Sequence, residues 1–100
     1  MRTKLLLYYD IVPGSHEEYY QFVTDEFLAE AHDLGLTITE VWHTAYGDYP
    51  MRLTGFVAEN FEAMAAILNS TKWQALETKL RRYVRDYRRK VVPFRNGFQV

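Results

Sequence analysis

The sequence has no cysteine, few prolines and glycines, and no long apolar run. Without cysteine there is no disulfide framework, no thiolate nucleophile and no cysteine metal site. Small secreted domains more often carry disulfides, so a cytoplasmic location is expected. No stretch approaches the ~20 apolar residues of a membrane span, and no membrane partner is expected. Arg2 and Lys4 precede an apolar run that imitates a signal peptide, but Asp10 interrupts it and no small-residue cleavage site follows. The only histidines are His16, His32 and His43, without HxH, HxxxH or HExxH spacing. Neither a metal nor another cofactor is therefore expected. P-loop, GxGxxG and Ser-His-Asp arrangements are also missing.

What is present is an ordinary globular composition with an excess of rings: 48% hydrophobic, 25% charged and 16% aromatic residues, with eight tyrosines. One hundred residues make one domain, 1–100. Charge is lopsided. Nine of the twelve basic residues follow residue 71, most of them between Lys79 and Arg95, whereas acidic residues dominate before it. The run reads as the exposed side of a helix C-terminus, where cations are favoured. No nucleic-acid motif accompanies it and the pI is about 6.3, so no nucleic-acid partner is expected.

The first element is KLLLYYDIV, Lys4 to Val12, a strand apolar on both faces. Pro13-Gly14 ends it, and Ser15 with Glu18 suggests a capping box for one long helix from His16 to Leu34. Tyr20, Val23, Phe27, Ala31 and Leu34 fall on one stripe, flanked by Tyr19, Phe22 and Leu28. Gly35 stops the helix. Residues 36–46 and 51–58 form a hairpin, in which a four-residue turn would set Trp42 opposite Gly55. Asn60 caps a short helix. Thr71 and Gln74 suggest another capping box, opening a helix whose stripe runs Trp73, Leu76, Leu80, Tyr83 and Tyr87. Residues 89–93 form a short last strand that Pro93 ends.

Strand, helix, strand, strand, helix pair, strand is the split βαβ, ferredoxin-like plan, an α+β fold with a four-stranded antiparallel sheet. Right-handed crossovers place the helices on one face. The other face, apolar on the first strand, needs cover, and a homodimer packed sheet to sheet supplies it. The apolar tail, Phe94, Phe98 and Val100, is expected to cross toward the partner or to fold back on its own helix. The stretches YYDIVPGSHEEYYQFV, GFVAENFEAM and NSTKWQAL resemble the dimeric α/β-barrel superfamily. The chain is most similar to NIPSNAP-like proteins, with the antibiotic-biosynthesis monooxygenase group next. The resemblance implies paired sheets around a cavity, in a superfamily of oxygenases, isomerases, haem enzymes and plain binding proteins. Its haem-degrading members need a helix Trp followed by a His. Trp73 matches the first, but no histidine follows His43.

Two polar residues on the strands stand out as catalytic candidates, His43 and Arg52. Tyr8, Tyr9, Trp42 and Tyr46, with Tyr49 nearby, are the ligand-binding candidates. An aromatic pocket with one Arg and one His suits a flat, partly anionic organic molecule. Core and dimer packing account for most of the rings more simply, and Glu40 is a ready partner for Arg52 across the hairpin. Two functions follow. One is a small-molecule-binding protein, an oxygenase or isomerase without a metal. The alternative is a non-catalytic interaction or carrier module with a packed interface.

Overall fold

The structure, a computed structural model, describes residues 1–44 and 51–94. Everything in it is arranged on β1, Thr3–Ile11. On one side β1 pairs antiparallel with β3, Met51–Ala58; on the other it pairs antiparallel with β4, Val84–Pro93. β2, Thr37–Thr44, pairs with the outer edge of β3, giving the order β2-β3-β1-β4. This is the expected ferredoxin-like sheet. Alternation along β1 sends Leu5, Leu7, Tyr9 and Ile11 to the side the helices cover, all buried with Phe56, Ala58 and Val84. Burying each Leu or Phe contributes on the order of 1.5–3 kcal/mol.

The first helical stretch is not uniform. Helix α1, His16–Phe22, passes through a π-helical turn, Val23–Phe27, into α2, Leu28–Asp33. A π turn takes one residue more than an α turn. Phe22 and Phe27, five apart, are therefore brought ring to ring at 5.7 Å. The inserted residue also shifts the buried stripe: Tyr19 and Phe22 are buried ahead of it, and Tyr20 is half exposed. The expected capping box does not form, since Ser15 makes no side-chain cap bond. Gly35 ends α2 at φ +105°, as its sequence position suggests.

Asn60 caps α3, Phe61–Leu68, by accepting from the Ala63 N–H at 2.7 Å. Helix α4, Thr71–Arg81, is capped by Ser70, one residue earlier than expected, at 3.1 Å from the Trp73 N–H. The basic run lies mainly on β4, not on a helix end. Helix α4 stops at Arg81, and residues 84–93 pair with β1 along most of its length. Tyr87 thereby leaves the helix stripe and stacks on Tyr9 from the strand. Pairing with a central strand overrides the helix-favouring Arg and Lys content.

The hairpin register also differs from expectation. Trp42 is opposite Leu53, and Glu40, after a bulge at Thr39, is opposite Gly55. Glu40 does not pair with Arg52; it forms an ion pair with Lys4 on the face away from the helices. Gly55 permits this, because a Cβ there would lie 2.9 Å from Glu40 Cγ. Lys4 is buried on that face, beside the half-buried Leu6 and Tyr8. Tail residues 95–100 lie outside the described residues; Phe94 is tied to the start of β1 by its N–H to the Arg2 carbonyl at 2.9 Å.

Candidate functional site

β1 separates the sequence candidates. Tyr9 points under the helices, and Tyr8 points to the opposite face, where the Arg88 guanidinium lies 5.9 Å from its ring centre. Arg52 is opposite Tyr9 in register and shares its side, so Tyr8 does not share a space with these two. His43 is the register partner of Arg52 and Trp42 that of Leu53, both described by backbone alone. Tyr46 and Tyr49 lie outside the described residues.

Around Arg52 the structure gathers one of the ligand-binding candidates, Tyr9, with Tyr19 and Tyr20, which the sequence reading placed on the helix stripe, and Thr54, which it did not single out. Tyr9 and Tyr19 share a hydrogen bond of 2.5 Å between hydroxyls, and Tyr9 is 3.2 Å from the Thr54 hydroxyl. Arg52 donates through Nη2 to the Tyr20 hydroxyl and lies 4.9 Å from the Tyr20 ring centre and 5.6 Å from that of Tyr19. Such ring contacts favour a cation but leave its charge uncompensated. Arg52 has no carboxylate partner among the described residues, and its buried Nε–H has no acceptor. A buried donor left unmade costs free energy that a ligand acceptor would recover.

These groups line a cavity of about 60 Å³, closed on its apolar side by Val23, Phe27 and Leu28 from the π turn and the residue after it. The π turn thus shapes the pocket wall, a frequent placement for such turns. Burial, first of all, pushes the Tyr9 and Tyr19 phenols above their usual range; the hydrogen bonds to Thr54 and Tyr19 oppose this at Tyr9, and the nearby Arg52 charge opposes it at both. Both are neutral at physiological pH. They offer hydroxyl donors and acceptors, and neither is a ready tyrosinate base. Among the described residues no group of three or more His, Asp or Glu is placed to hold a metal.

Sequence reading expected the cavity between two sheets and so passed over Tyr19, Tyr20 and Thr54. The one available signal was the five-residue step from Phe22 to Phe27, which an uninterrupted α stripe does not favour.

No protein-family model matches the chain, and no curated protein matches it in sequence. Solved structures do match. A NIPSNAP family protein from Agrobacterium tumefaciens superposes with a TM-score of 0.71 at 19% identity, covering 96% of this chain and 95% of that one. A NIPSNAP domain protein from Burkholderia xenovorans gives 0.70 at 15% identity with both chains fully covered. The fold is that of NIPSNAP proteins. It is shared with SnoaB, a cofactor-independent oxygenase from Streptomyces nogalater, at a TM-score of 0.71 and 11% identity over 96% of this chain and 95% of that one. Among the described residues no helix is long and apolar enough to cross a membrane.

Proposed function

We propose that the chain binds a flat, partly anionic organic molecule in the pocket between the first helical stretch and the sheet, with Arg52 receiving the anionic group. The observation that carries this reading is Arg52 itself: a cation among rings, with no carboxylate beside it and one buried donor unused among the described residues. Tyr20, 44% exposed, closes the mouth by bonding Arg52. Tyr9, Tyr19 and Thr54 supply neutral hydroxyls to a second polar group on the ligand. His43, opposite Arg52 in register, is the candidate proton carrier, since imidazole titrates near neutrality. Structural likeness to a cofactor-independent oxygenase makes oxygenation the reaction to assay first, on a substrate whose own anion, held by Arg52, supplies the electrons. We infer also a homodimer formed through the helix-free sheet face, where Leu6, Tyr8 and Leu53 lie; static light scattering at low micromolar concentration checks it.

A specific observation favours a second reading, a carrier or interaction module without catalysis. The cavity of about 60 Å³ is well below the roughly 300 Å³ of ordinary ligand sites. Calorimetry with 2-naphthoate and its neutral analogue 2-naphthalenemethanol separates the two. The first reading expects the acid to bind about ten-fold more tightly than the alcohol, and Arg52→Gln to erase that difference. If neither compound binds, the packed module is the better account.

A further inference from the structure

β2 is the outer strand on its side of the sheet, and the helices cover it only in part. Ile38 is opposite Phe56 and Val41 is opposite Thr54. Phe56 belongs to the core under the helices, and Thr54 meets the Tyr9 hydroxyl there. In an unbroken strand two residues three apart point to opposite faces. The bulge at Thr39 instead puts Ile38 and Val41 on the same face, as bulges re-aim side chains. Both line the Arg52 cavity, yet Ile38 is 42% and Val41 52% exposed. The cavity is thus shut by Tyr20 at the Arg52 end and open along β2.

Two neighbouring apolar side chains left half in water beside a cavity form one strip with it, unlike apolar residues scattered singly. The facing wall is apolar as well, made by Val23, Phe27 and Leu28. The lining is segregated. Arg52, Thr54 and the hydroxyls of Tyr9, Tyr19 and Tyr20 gather at one end, and among the described lining residues Arg52 is the only charge. Two separate measures give the strip a similar length. From Arg52 to Phe56 the sheet advances ~13 Å along β3. From Tyr20, beside Arg52, to Leu28 the helical stretch advances ~12 Å.

We propose that the ligand of this site is an amphiphile, with a flat anionic head at Arg52 and a short alkyl tail laid over Val41 and Ile38. The inference rests on the reading of Arg52 as the anion receiver, and adds to it the tail and the length of the tail. The lone cation selects the head and fixes where it sits. The apolar strip leading away from that cation selects the tail. The enclosed space of about 60 Å³ is then the inner end of a longer, open-sided site. A fused pair of rings with its carboxylate takes up about two thirds of the ~13 Å, which leaves room for about four methylenes before the tail passes Ile38.

The experiment is calorimetry on the full chain with 2-naphthoate and its 6-methyl, 6-butyl and 6-octyl derivatives. A fully buried methylene tightens binding about four-fold and a half-covered one about two-fold, so the 6-butyl compound should bind about ten-fold more tightly than 2-naphthoate. The 6-octyl compound should add no more than about two-fold to that, because its last carbons lie in water. Ile38→Thr, an exposed exchange of one strand-forming residue for another, should remove at least half of the butyl effect and leave 2-naphthoate unchanged. Val41→Thr repeats the test should Ile38→Thr fail to fold. Binding of 2-naphthoate with no added affinity from the butyl group would overturn the tail and leave the Arg52 reading standing, whereas failure of every compound would overturn both. A steady rise through the octyl compound would mean undirected apolar binding, and a butyl effect untouched by both threonine variants would place the tail elsewhere; each overturns the proposal. Dissociation of the parent assembly by Ile38→Thr in light scattering would give the strip to a second copy of the chain, with the same consequence.

Discussion

Gly55 decides what happens to two other side chains. With no Cβ it leaves room for Glu40 to lie across β3 and reach Lys4. Gly55→Ala should therefore cost about 1–3 kcal/mol in urea unfolding, the usual cost of overpacking. The same change made in a Glu40→Ala background should cost clearly less, because the two nearest atoms it collides with are gone and only the Thr39 hydroxyl at 3.1 Å remains; equal costs would disconnect Gly55 from the ion pair. Asp86 carries strain of a different origin. It holds φ +56° without being glycine, so Asp86→Gly should leave stability unchanged or raise it by up to about 1 kcal/mol in the same assay. A loss would mean that its side chain has a structural role. Arg52 combines both themes, since its position is set by ring contacts and one hydroxyl while its Nε–H stays unmatched among the described residues.

Helix starts separate what sequence spacing suggests from what forms. Ser15 precedes Glu18 at capping-box spacing but makes no cap bond, whereas Ser70 accepts the Trp73 N–H and Asn60 the Ala63 N–H. Ser70→Ala and Asn60→Ala should each lower stability by about 1 kcal/mol, and Ser15→Ala by much less, when chemical denaturation midpoints are compared. A similar loss at all three would refute the distinction. The elements most legible in the sequence were those with strong local punctuation: Pro13-Gly14, Gly35, Asn60 and Pro93 bound segments that the structure keeps. Less legible was the span 82–92, where Arg and Lys favour helix while β1 requires an edge partner. The π turn was invisible to a 3.6-residue stripe, and with it the pocket wall made by Val23, Phe27 and Leu28. Arg52 was picked out for being a lone cation on a strand. Its neighbours Tyr20 and Thr54 could not be assigned, because Tyr20 reads as one more ring of a helix stripe and Thr54 as one more polar residue of an alternating strand.

For the molecule as a whole, the buried phenols couple folding to alkaline pH. Tyr9, Tyr19 and Tyr87 are all raised above the ordinary value of 10.0, in each case mainly by burial. Above about pH 10 the unfolded chain releases these protons and the folded chain retains them, so stability is intact below that pH and falls above it. Each group adds at most about 1.4 kcal/mol per pH unit. Tyr19→Phe should flatten the decline between pH 10 and 11.5 relative to the parent chain, and an unchanged slope would refute its buried, protonated state. The central claim is that ligand enters under the first helical stretch and not onto the open sheet face. Intermolecular NOEs between 2-naphthoate and the protein test it most directly. Contacts to Tyr20, Val23 and Thr54 are predicted; contacts to Tyr8 and Leu53 in their place would contradict it.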